Sequence, residues 1–172
     1  MRLVTVLSLL IALSALAAGC TQPAPPIPPP PPGRSDLSSE DQAREKAIRK
    51  LSGVEDAVVI EDGQIVEVDL SVGEKSGEIT DASLKHVVGL SHIRKLYLTG
   101  APITDEGLAQ LAGLTSLEML NVDGTQVTSA GLAHLKGLKN LKLLICRATS
   151  VDTAGVADLK QSLPDLLVTK DQ

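Results

Sequence analysis

The chain has 172 residues and a formal net charge of −5, and Tyr97 is its single aromatic residue among Phe, Tyr and Trp. An acidic chain without a basic segment is unlike a nucleic-acid-binding protein, and a core without Phe or Trp has to be built from aliphatic side chains. The two cysteines, Cys20 and Cys146, lie in different sequence contexts, so we expect neither a disulfide framework nor a zinc site. We also expect no cofactor.

The start of the chain has the pattern of a secretion signal. Arg2 supplies a positive charge, and residues 3–18 form an apolar stretch that is short for a bilayer span, which needs roughly 20 apolar residues. Residues 17–20 read AAGC. This ending resembles the bacterial lipobox, although Ala17 stands where the usual box has Leu, and the resemblance implies cleavage before Cys20 and a lipid on that cysteine. The alternatives are an ordinary signal peptide or an uncleaved anchor in which Cys20 is incidental.

The residue after the cysteine bears on the location. Lipoproteins of this type often carry an aspartate there when they are retained at the inner membrane, whereas this chain has Thr21. The resemblance therefore implies a lipid-anchored protein of the cell envelope, at the outer membrane or on the periplasmic face.

A proline-rich segment follows the cysteine. Residues 23–32 contain eight of the ten prolines, and proline lacks the N–H that helices and sheets require. We expect a polyproline II rod of about 3.1 Å per residue, which would hold the folded part on the order of 30 Å from its anchor. The alternative is a ligand for a proline-binding module, but such modules are mostly intracellular.

Residues 39–64 are predicted to form a helix and the start of a hairpin. Ser39 precedes an apolar stripe at helical spacing, and Gly53 can end the helix. Two alternating apolar runs, residues 58–60 and 65–70, flank Asp62-Gly63, which is typical of a β-hairpin. A solenoid needs its first layer covered, and this unit is too short for a core of its own.

From residue 90 onward the sequence repeats with a constant period, in residues 90–113, 114–137 and 138–161. Within one repeat Leu120 and Val122 alternate as in a short strand, and Leu132 and Leu135 are spaced as on one helix face. This pattern resembles the leucine-rich-repeat family in its 24-residue bacterial form, and the resemblance covers residues 65–168. It implies an α/β fold, a right-handed solenoid with a parallel β-sheet on the concave face and short helices on the convex face.

We therefore divide the chain into four parts. They are a lipoprotein signal peptide, a proline-rich linker, an N-terminal helix and hairpin cap, and a leucine-rich-repeat domain, at residues 1–19, 20–38, 39–64 and 65–172.

Several recurrent residues are interpreted as structural. Cys146 occupies the inward position of Leu98 and Val122, so it is read as a small buried hydrophobe rather than a nucleophile. Three glycines recur in register and are read as close-packing sites between coils: Gly107, Gly131 and Gly155.

The acidic residues of the turns are interpreted in the same way. We place Asp81, Asp105 and Asp152 at one repeat position, where Ser129 interrupts the series, and read them as first-turn acids that the helix dipole favours. A ladder of metal-binding carboxylates is the alternative, and Ser129 argues against it. The three histidines make no ligand pair, so no metal site is expected.

Residues between the inward leucines should face the concave side, where the resemblance implies that ligands bind. The candidate partner-binding residues are Lys95, Tyr97, Met119, Asn121, Asp123, Leu143, Ile145 and Arg147. Among outward positions, five apolar side chains are expected to lie together: Tyr97, Met119, Leu143, Ile145 and Leu167. Lys95, Asp123 and Arg147 are expected to form a charged rim. In the alternative reading, the C-terminal residues of this set pack on each other or under a terminal segment.

The sequence thus predicts a membrane-anchored interaction module of the bacterial cell envelope that binds a protein or peptide on its concave sheet, with Tyr97 and Arg147 as the main contributors. The alternative is a structural or self-associating envelope component without a dedicated ligand. Catalysis is disfavoured because no histidine lies in register near a serine or cysteine nucleophile, and no carboxylates pair outside the capping positions.

Overall fold

The computed structural model describes residues 37–73 and 78–170. The predicted signal peptide, the cysteine predicted to carry a lipid and nearly all of the predicted linker lie outside the described residues. Within residues 37–73 and 78–170, no helix combines the length and the apolar character needed to cross a bilayer. The elements are α1 (Ser39–Ser52), β1 (Val58–Glu61), β2 (Gln64–Asp69), a 3₁₀ helix (Asp81–His86), β3 (Lys95–Tyr97), α2 (Asp105–Leu111), β4 (Met119–Asn121), α3 (Ser129–Leu132), a second 3₁₀ helix (Ala133–Gly137), β5 (Leu143–Ile145), α4 (Thr153–Ser162) and β6 (Leu167–Thr169).

The strands form one six-stranded sheet in chain order. β1 and β2 are antiparallel, and every later strand pairs in parallel with the one before it. Leu96, Leu120 and Leu144 lie side by side in this register, at the same position of successive repeats, and each is 0% exposed. These leucines therefore form one interior row, and the fold is a leucine-rich-repeat solenoid, as the repeat predicts.

Each coil buries one set of aliphatic side chains against its neighbours. In the coil that begins at Leu114, the strand contributes Leu120 and Val122, and the turn contributes Val127. The helical side contributes Leu132 and Leu135, which are also buried. Burial of one such side chain contributes roughly 1.5–3 kcal/mol, but only when the adjacent coils are present to cover it.

Cys146 lies in this interior. It is 2% exposed, at the position that Leu98 and Val122 occupy in the two preceding coils. Its interpretation as a buried small side chain is confirmed.

The N-terminal unit is a helix followed by a hairpin, as predicted. Ser38, one residue before the predicted start, caps α1 by accepting a hydrogen bond from the Asp41 N–H at 3.1 Å. Asp62 and Gly63 both have positive φ, 49° and 70°, which is the backbone of a type I′ hairpin turn. β2 belongs to both predicted parts, because it pairs antiparallel with β1 and parallel with β3.

The last coil absorbs a slip in the repeat. Leu163 comes one position later in its coil than Leu138 does in the coil before, yet Leu167 still pairs in register with Leu143. α4 is ten residues long where α2 is seven, and Pro164 stands in the shortened connection to β6. The strand register is thus restored within the same coil.

Neighbouring coils are also joined by a polar ladder on the helical side. The Asp81 carboxylate accepts hydrogen bonds from the Thr104 N–H at 2.9 Å and from the Thr104 hydroxyl at 2.6 Å. Asp105 accepts the same two bonds from Thr128, at 2.8 and 2.6 Å. Each threonine is in turn the N-cap of its own helix. The acid of one coil therefore fixes the helix start of the next coil.

The position predicted for Asp152 was wrong by one residue. Asp152 is the N-cap of α4 and occupies the place of Thr104 and Thr128, whereas Ser129 occupies the place of Asp81 and Asp105. The partners have exchanged roles: the Ser129 hydroxyl donates to the Asp152 carboxylate at 2.8 Å and accepts from the Asp152 N–H at 2.9 Å. The backbone N–H of Gly155 and the Ser129 hydroxyl hold the pKa of Asp152 below its usual value.

The recurrent glycines make room for this ladder. A Cβ added at Gly131 would lie 2.2 Å from the Asp105 carboxylate oxygen, and one added at Gly107 would lie 2.2 Å from that of Asp81. At Gly155 the added atom would meet the Ser129 side chain at 2.5 Å. The interpretation of these glycines as close-packing sites is confirmed.

We predict that Gly131→Ala destabilises the fold more than Gly124→Ala. The first change forces Asp105 away from Thr128, and such overpacking costs about 2 kcal/mol. Gly124 has a positive φ of 66° but no atom nearer than 3.6 Å to an added Cβ, and Ala148 adopts a φ of 51° at the equivalent turn. A left-handed alanine costs about 1 kcal/mol. Urea unfolding of both variants measures the order, and a larger loss for Gly124→Ala would contradict the ladder.

Candidate functional site

The outward side chains of the strands form two regular rows on the sheet. The first row runs across β2 to β6 through Glu67, Lys95, Met119, Leu143 and Leu167. The second row runs through Asp69, Tyr97, Asn121, Ile145 and Thr169. Adjacent members stand about 4.8 Å apart, the spacing of paired strands. The register agrees with the outward positions predicted from the sequence, which are Lys95, Tyr97, Met119, Asn121, Leu143, Ile145 and Leu167.

Four apolar side chains form a continuous patch at the C-terminal end of these rows. Met119, Leu143 and Leu167 are successive neighbours in the first row, and Ile145 lies on the same strand as Leu143. Leu167 is 68% exposed, and the other three are half-buried. We call these four residues the apolar patch.

Tyr97 does not adjoin the patch in its own row, contrary to the expectation that five apolar residues lie together. Its partner in the register is Asn121, which separates it from Ile145. Only a diagonal contact toward Met119 is geometrically available. Burial and the nearby Glu67 carboxylate raise the pKa of the Tyr97 hydroxyl, so Tyr97 belongs to the polar N-terminal half of the face.

Among the residues that the structure describes, four ion pairs connect the strands or the residues that flank them, and in each pair the acid precedes the cation in the chain. Within the first row, Lys95 binds Glu67 at 2.9 Å. At the beginning of the strands, Lys142 binds Glu118 at 2.9 Å and Arg94 binds Glu61. The hydrogen bond to Glu67 raises the pKa of Lys95, and the hydrogen bond from Lys142 lowers the pKa of Glu118. Exposed pairs of this kind contribute little to stability.

The fourth pair, Asp123 with Arg147, differs because its acid is buried. Asp123 is 8% exposed, so it is not the exposed rim charge that the sequence suggested. One of its oxygens accepts the Arg147 N–H at 2.6 Å, and the other accepts Nε and Nη2 at 2.9 and 2.6 Å. The Arg147 side chain remains 54% exposed. Asp123 thus positions the Arg147 side chain, and the exposed member of the pair is the positively charged guanidinium of Arg147.

Asn121 also has a local role in addition to its place in the second row. Its side-chain oxygen accepts the Asp123 N–H at 2.9 Å and shapes the turn that follows β4. Asp69 does the same for the Ser71 N–H at 2.8 Å after β2. Both side chains therefore stabilise the turn that follows their strand.

The sequence prediction missed a groove of about 400 Å³ where the strands begin. Met119 and Leu143 from the apolar patch lie on one side of it, and charged residues line the rest. These charged residues are Glu61, Arg94, Lys95, Glu118 and Lys142. A signal was available, because Arg94, Glu118 and Lys142 occupy one position of the repeat, but they precede the strand positions that were considered.

The chemistry of the face is that of a contact surface. Among residues 37–73 and 78–170, no three His, Cys, Asp or Glu side chains are grouped so that they could hold a metal ion. What the face offers is exposed aliphatic surface beside fixed charges. Such a combination suits recognition of a polypeptide.

No protein-family model matches the chain, and no curated protein sequence matches it either. Among solved structures it is similar to the LRR ectodomain of the receptor kinase SOBIR1 from Arabidopsis thaliana, with 14% identity and a TM-score of 0.48 over 78% of this chain and 93% of that one. It is also similar to an internalin (inlF) from Listeria monocytogenes, with 19% identity and a TM-score of 0.40 over 63% of this chain and 38% of that one. The assignment of the fold rests on the strand register.

We predict that Asp123→Ala lowers the free energy of unfolding by about 2 kcal/mol, because it removes charged hydrogen bonds from a buried acid. Glu67→Ala is the matched control on the same face: it removes an exposed pair with Lys95 and should cost about 0.5 kcal/mol. Thermal unfolding monitored by circular dichroism compares the two. Equal losses would mean that burial does not distinguish these pairs.

Proposed function

We propose that this protein is a non-catalytic interaction module, lipid-anchored to the bacterial cell envelope at Cys20, that binds a protein or peptide on its concave sheet. The candidate contacts are those expected from the sequence, with their roles refined: Leu143, Ile145 and Met119 supply apolar surface, and Arg147 supplies charge. Tyr97, Lys95 and Asn121 form the polar N-terminal half of the surface, and Asp123 acts through Arg147.

The observation that carries this proposal is the apolar patch. Inward leucines of the same strands, such as Leu120 and Leu144, are 0% exposed, whereas Leu167 on the outward side is 68% exposed. The central strands bury their inward leucines, and aliphatic side chains remain on the outward side. Contiguous apolar surface on a folded domain is characteristic of interaction sites.

The surface also favours binding over catalysis. Lys95, Lys142 and Arg147 are engaged in ion pairs with acids of the same face, and the thiol of Cys146 is buried. Catalysis depends on convergent titratable groups beside a substrate pocket. The groove at the start of the strands is instead lined by charged residues that form ion pairs with one another, such as Glu118 with Lys142.

The anchor part of the proposal rests on the sequence. The apolar stretch 3–18 and the AAGC ending support export and lipidation at Cys20. The proline-rich segment 23–32 would act as a spacer of on the order of 30 Å, which would bring the concave sheet within reach of partners near the membrane.

A photo-crosslinking amino acid at position 145 tests the binding face. We expect it to trap a specific partner in cells, because Ile145 belongs to the apolar patch on the outward side of β5. Position 106 is the matched control, since Glu106 is exposed on α2, on the helical side. The position 145 adduct should disappear when Leu167→Ser is added. Equal trapping from both positions, or trapping that is indifferent to Leu167→Ser, would count against a concave binding site.

Cys20→Ala tests the anchor. We expect the variant to lose incorporation of radiolabelled palmitate and to shift from the membrane to the soluble fraction or to accumulate uncleaved, because lipidation and subsequent cleavage both require that cysteine. Cys146→Ala is the control, since Cys146 is buried in the core. Palmitate labelling that survives Cys20→Ala would exclude this anchor.

A further inference from the structure

Aspartate is followed directly by glycine at two places in the chain, Asp62-Gly63 and Asp123-Gly124. Such a pair can isomerise without an enzyme. A C–N bond forms between the glycine nitrogen and Cγ of the aspartic acid, and the hydroxyl of the acid leaves with the amide proton as water. Water then opens the cyclic succinimide at either carbonyl. One product is aspartate, and the other is isoaspartate, in which the main chain runs through the β-carbon.

The reacting atoms of the first pair are free. Asp62 and Gly63 form the tip of the hairpin between β1 and β2, and Asp62 is exposed. Among the residues that the structure describes, neither the Asp62 carboxylate nor the Gly63 N–H has a hydrogen-bond partner. The flanking residues Glu61 and Gln64 pair with each other and close the turn. The peptide between Asp62 and Gly63 can therefore rotate while the strands stay paired.

This rotation gives the conformation that ring closure needs. Asp62 and Gly63 both have positive φ, as in a type I′ turn, and turning over the peptide between them converts the turn to type II′. The first central residue keeps a positive φ in type II′ and has a ψ of about −120°, the mirror image of type II. At that ψ the Cβ of an L-residue eclipses the nitrogen of the next residue. The Gly63 nitrogen thus comes within reach of Asp62 Cγ.

The corresponding atoms of the second pair are held in place. The Gly124 N–H donates to the Arg147 carbonyl at 2.9 Å, as part of the ladder that continues the sheet. The Asp123 carboxylate is buried and accepts three hydrogen bonds from Arg147. The Asp123 N–H donates to the side chain of Asn121. Ring closure at Asp123 therefore requires both the nucleophile and the carboxylate to leave their partners first.

We infer that Asp62 is a site of spontaneous isomerisation in the folded protein, and that Asp123 in the same dipeptide is protected by its contacts with Arg147. The reaction needs only water and the atoms of the chain itself. It takes place whether or not the concave sheet binds a partner.

Isoaspartate at position 62 would change the hairpin. It adds the β-carbon to the main chain of a two-residue turn, and the length of such a turn sets the pairing of the strands on either side. Glu61 is paired with Gln64 in that register, and it also binds Arg94 beside β3. The modification therefore acts where the N-terminal hairpin is joined to the first parallel strand of the solenoid.

The experiment uses water enriched in the heavy oxygen isotope. The purified full chain is incubated in it for several weeks at neutral pH, folded in one sample and unfolded in urea in a second. Protease digestion and mass spectrometry then measure the heavy oxygen that succinimide opening leaves at each aspartate. We expect the ratio of labelling at Asp62 to labelling at Asp123 to be at least roughly tenfold larger in the folded sample, because attack at Asp123 must first break hydrogen bonds.

The unfolded sample is the control for the neighbouring residues in the sequence, since it lacks the contacts but keeps the dipeptides. A ratio that is the same in both samples would overturn the inference. Absence of label and of isoaspartate at Asp62 in the folded sample, when the unfolded sample contains both, would overturn it as well.

Two variants test the two sites separately. Asp62→Asn keeps the turn, because Asn-Gly is favoured in type I′ hairpins, and should be labelled faster at position 62, since ammonia leaves more readily than water. Arg147→Gln removes the guanidinium from Asp123 and should increase labelling at Asp123 without changing it at Asp62. Unchanged labelling at Asp123 in this variant would contradict the protective role of the Arg147 side chain.

Discussion

The structure depends on coils of equal length that return the chain to the same place. Leu96, Leu120 and Leu144 are neighbours only because the chain completes one coil between each of them and the next. A single coil has one apolar side and nothing of its own to cover it, so every coil draws its stability from the coils on either side. The last coil illustrates the constraint: an extra residue before Leu163 is compensated before Leu167, and the parallel pairing is kept.

Aliphatic stacking does not fix this register by itself, because hydrophobic burial has no direction. Leucines shifted along the solenoid would still be buried. The ladder between Asp105 and Thr128 is directional, with two bonds of 2.8 and 2.6 Å to one side chain, and Gly131 is needed to admit it. Apolar burial therefore supplies the free energy of folding, and the polar ladder selects one arrangement among those that burial would accept.

The sequence predicted what depends on periodicity. Alternation in the strands places Leu120 inside and Met119 outside whatever the details of packing, and the recurrence of Gly131 marks a close contact. The place of Asp152 also follows from the period, because residues 104, 128 and 152 are 24 apart, and the prediction missed it by setting Asp152 one residue out of register. What the period does not show is the exchange of donor and acceptor between Ser129 and Asp152, which depends on the side chains at these two positions.

Contacts between side chains of different strands were harder to predict than the face on which each lies. Period-two alternation places Asp123 and Arg147 on the same side of the sheet, but the burial of one and the exposure of the other depend on an ion pair that only the conformation shows. Tyr97 presents the same problem. Its separation from the patch follows from Asn121 in its own row, which matters only once the register is known.

The internal pairing of charges decides what kind of recognition this face can support. Since each cation already has an acid beside it, the face has little net field at distances beyond about 10 Å, and long-range steering is weak. Recognition therefore depends on short-range contacts, and a partner would make these contacts with Lys142, with Arg147 and with the aliphatic surface between them. The strands that carry these side chains are already hydrogen-bonded to their neighbours before a partner binds. The backbone therefore loses little conformational entropy on binding. The stacking that buries the leucines thereby also prepares the opposite side of the same strands for contact.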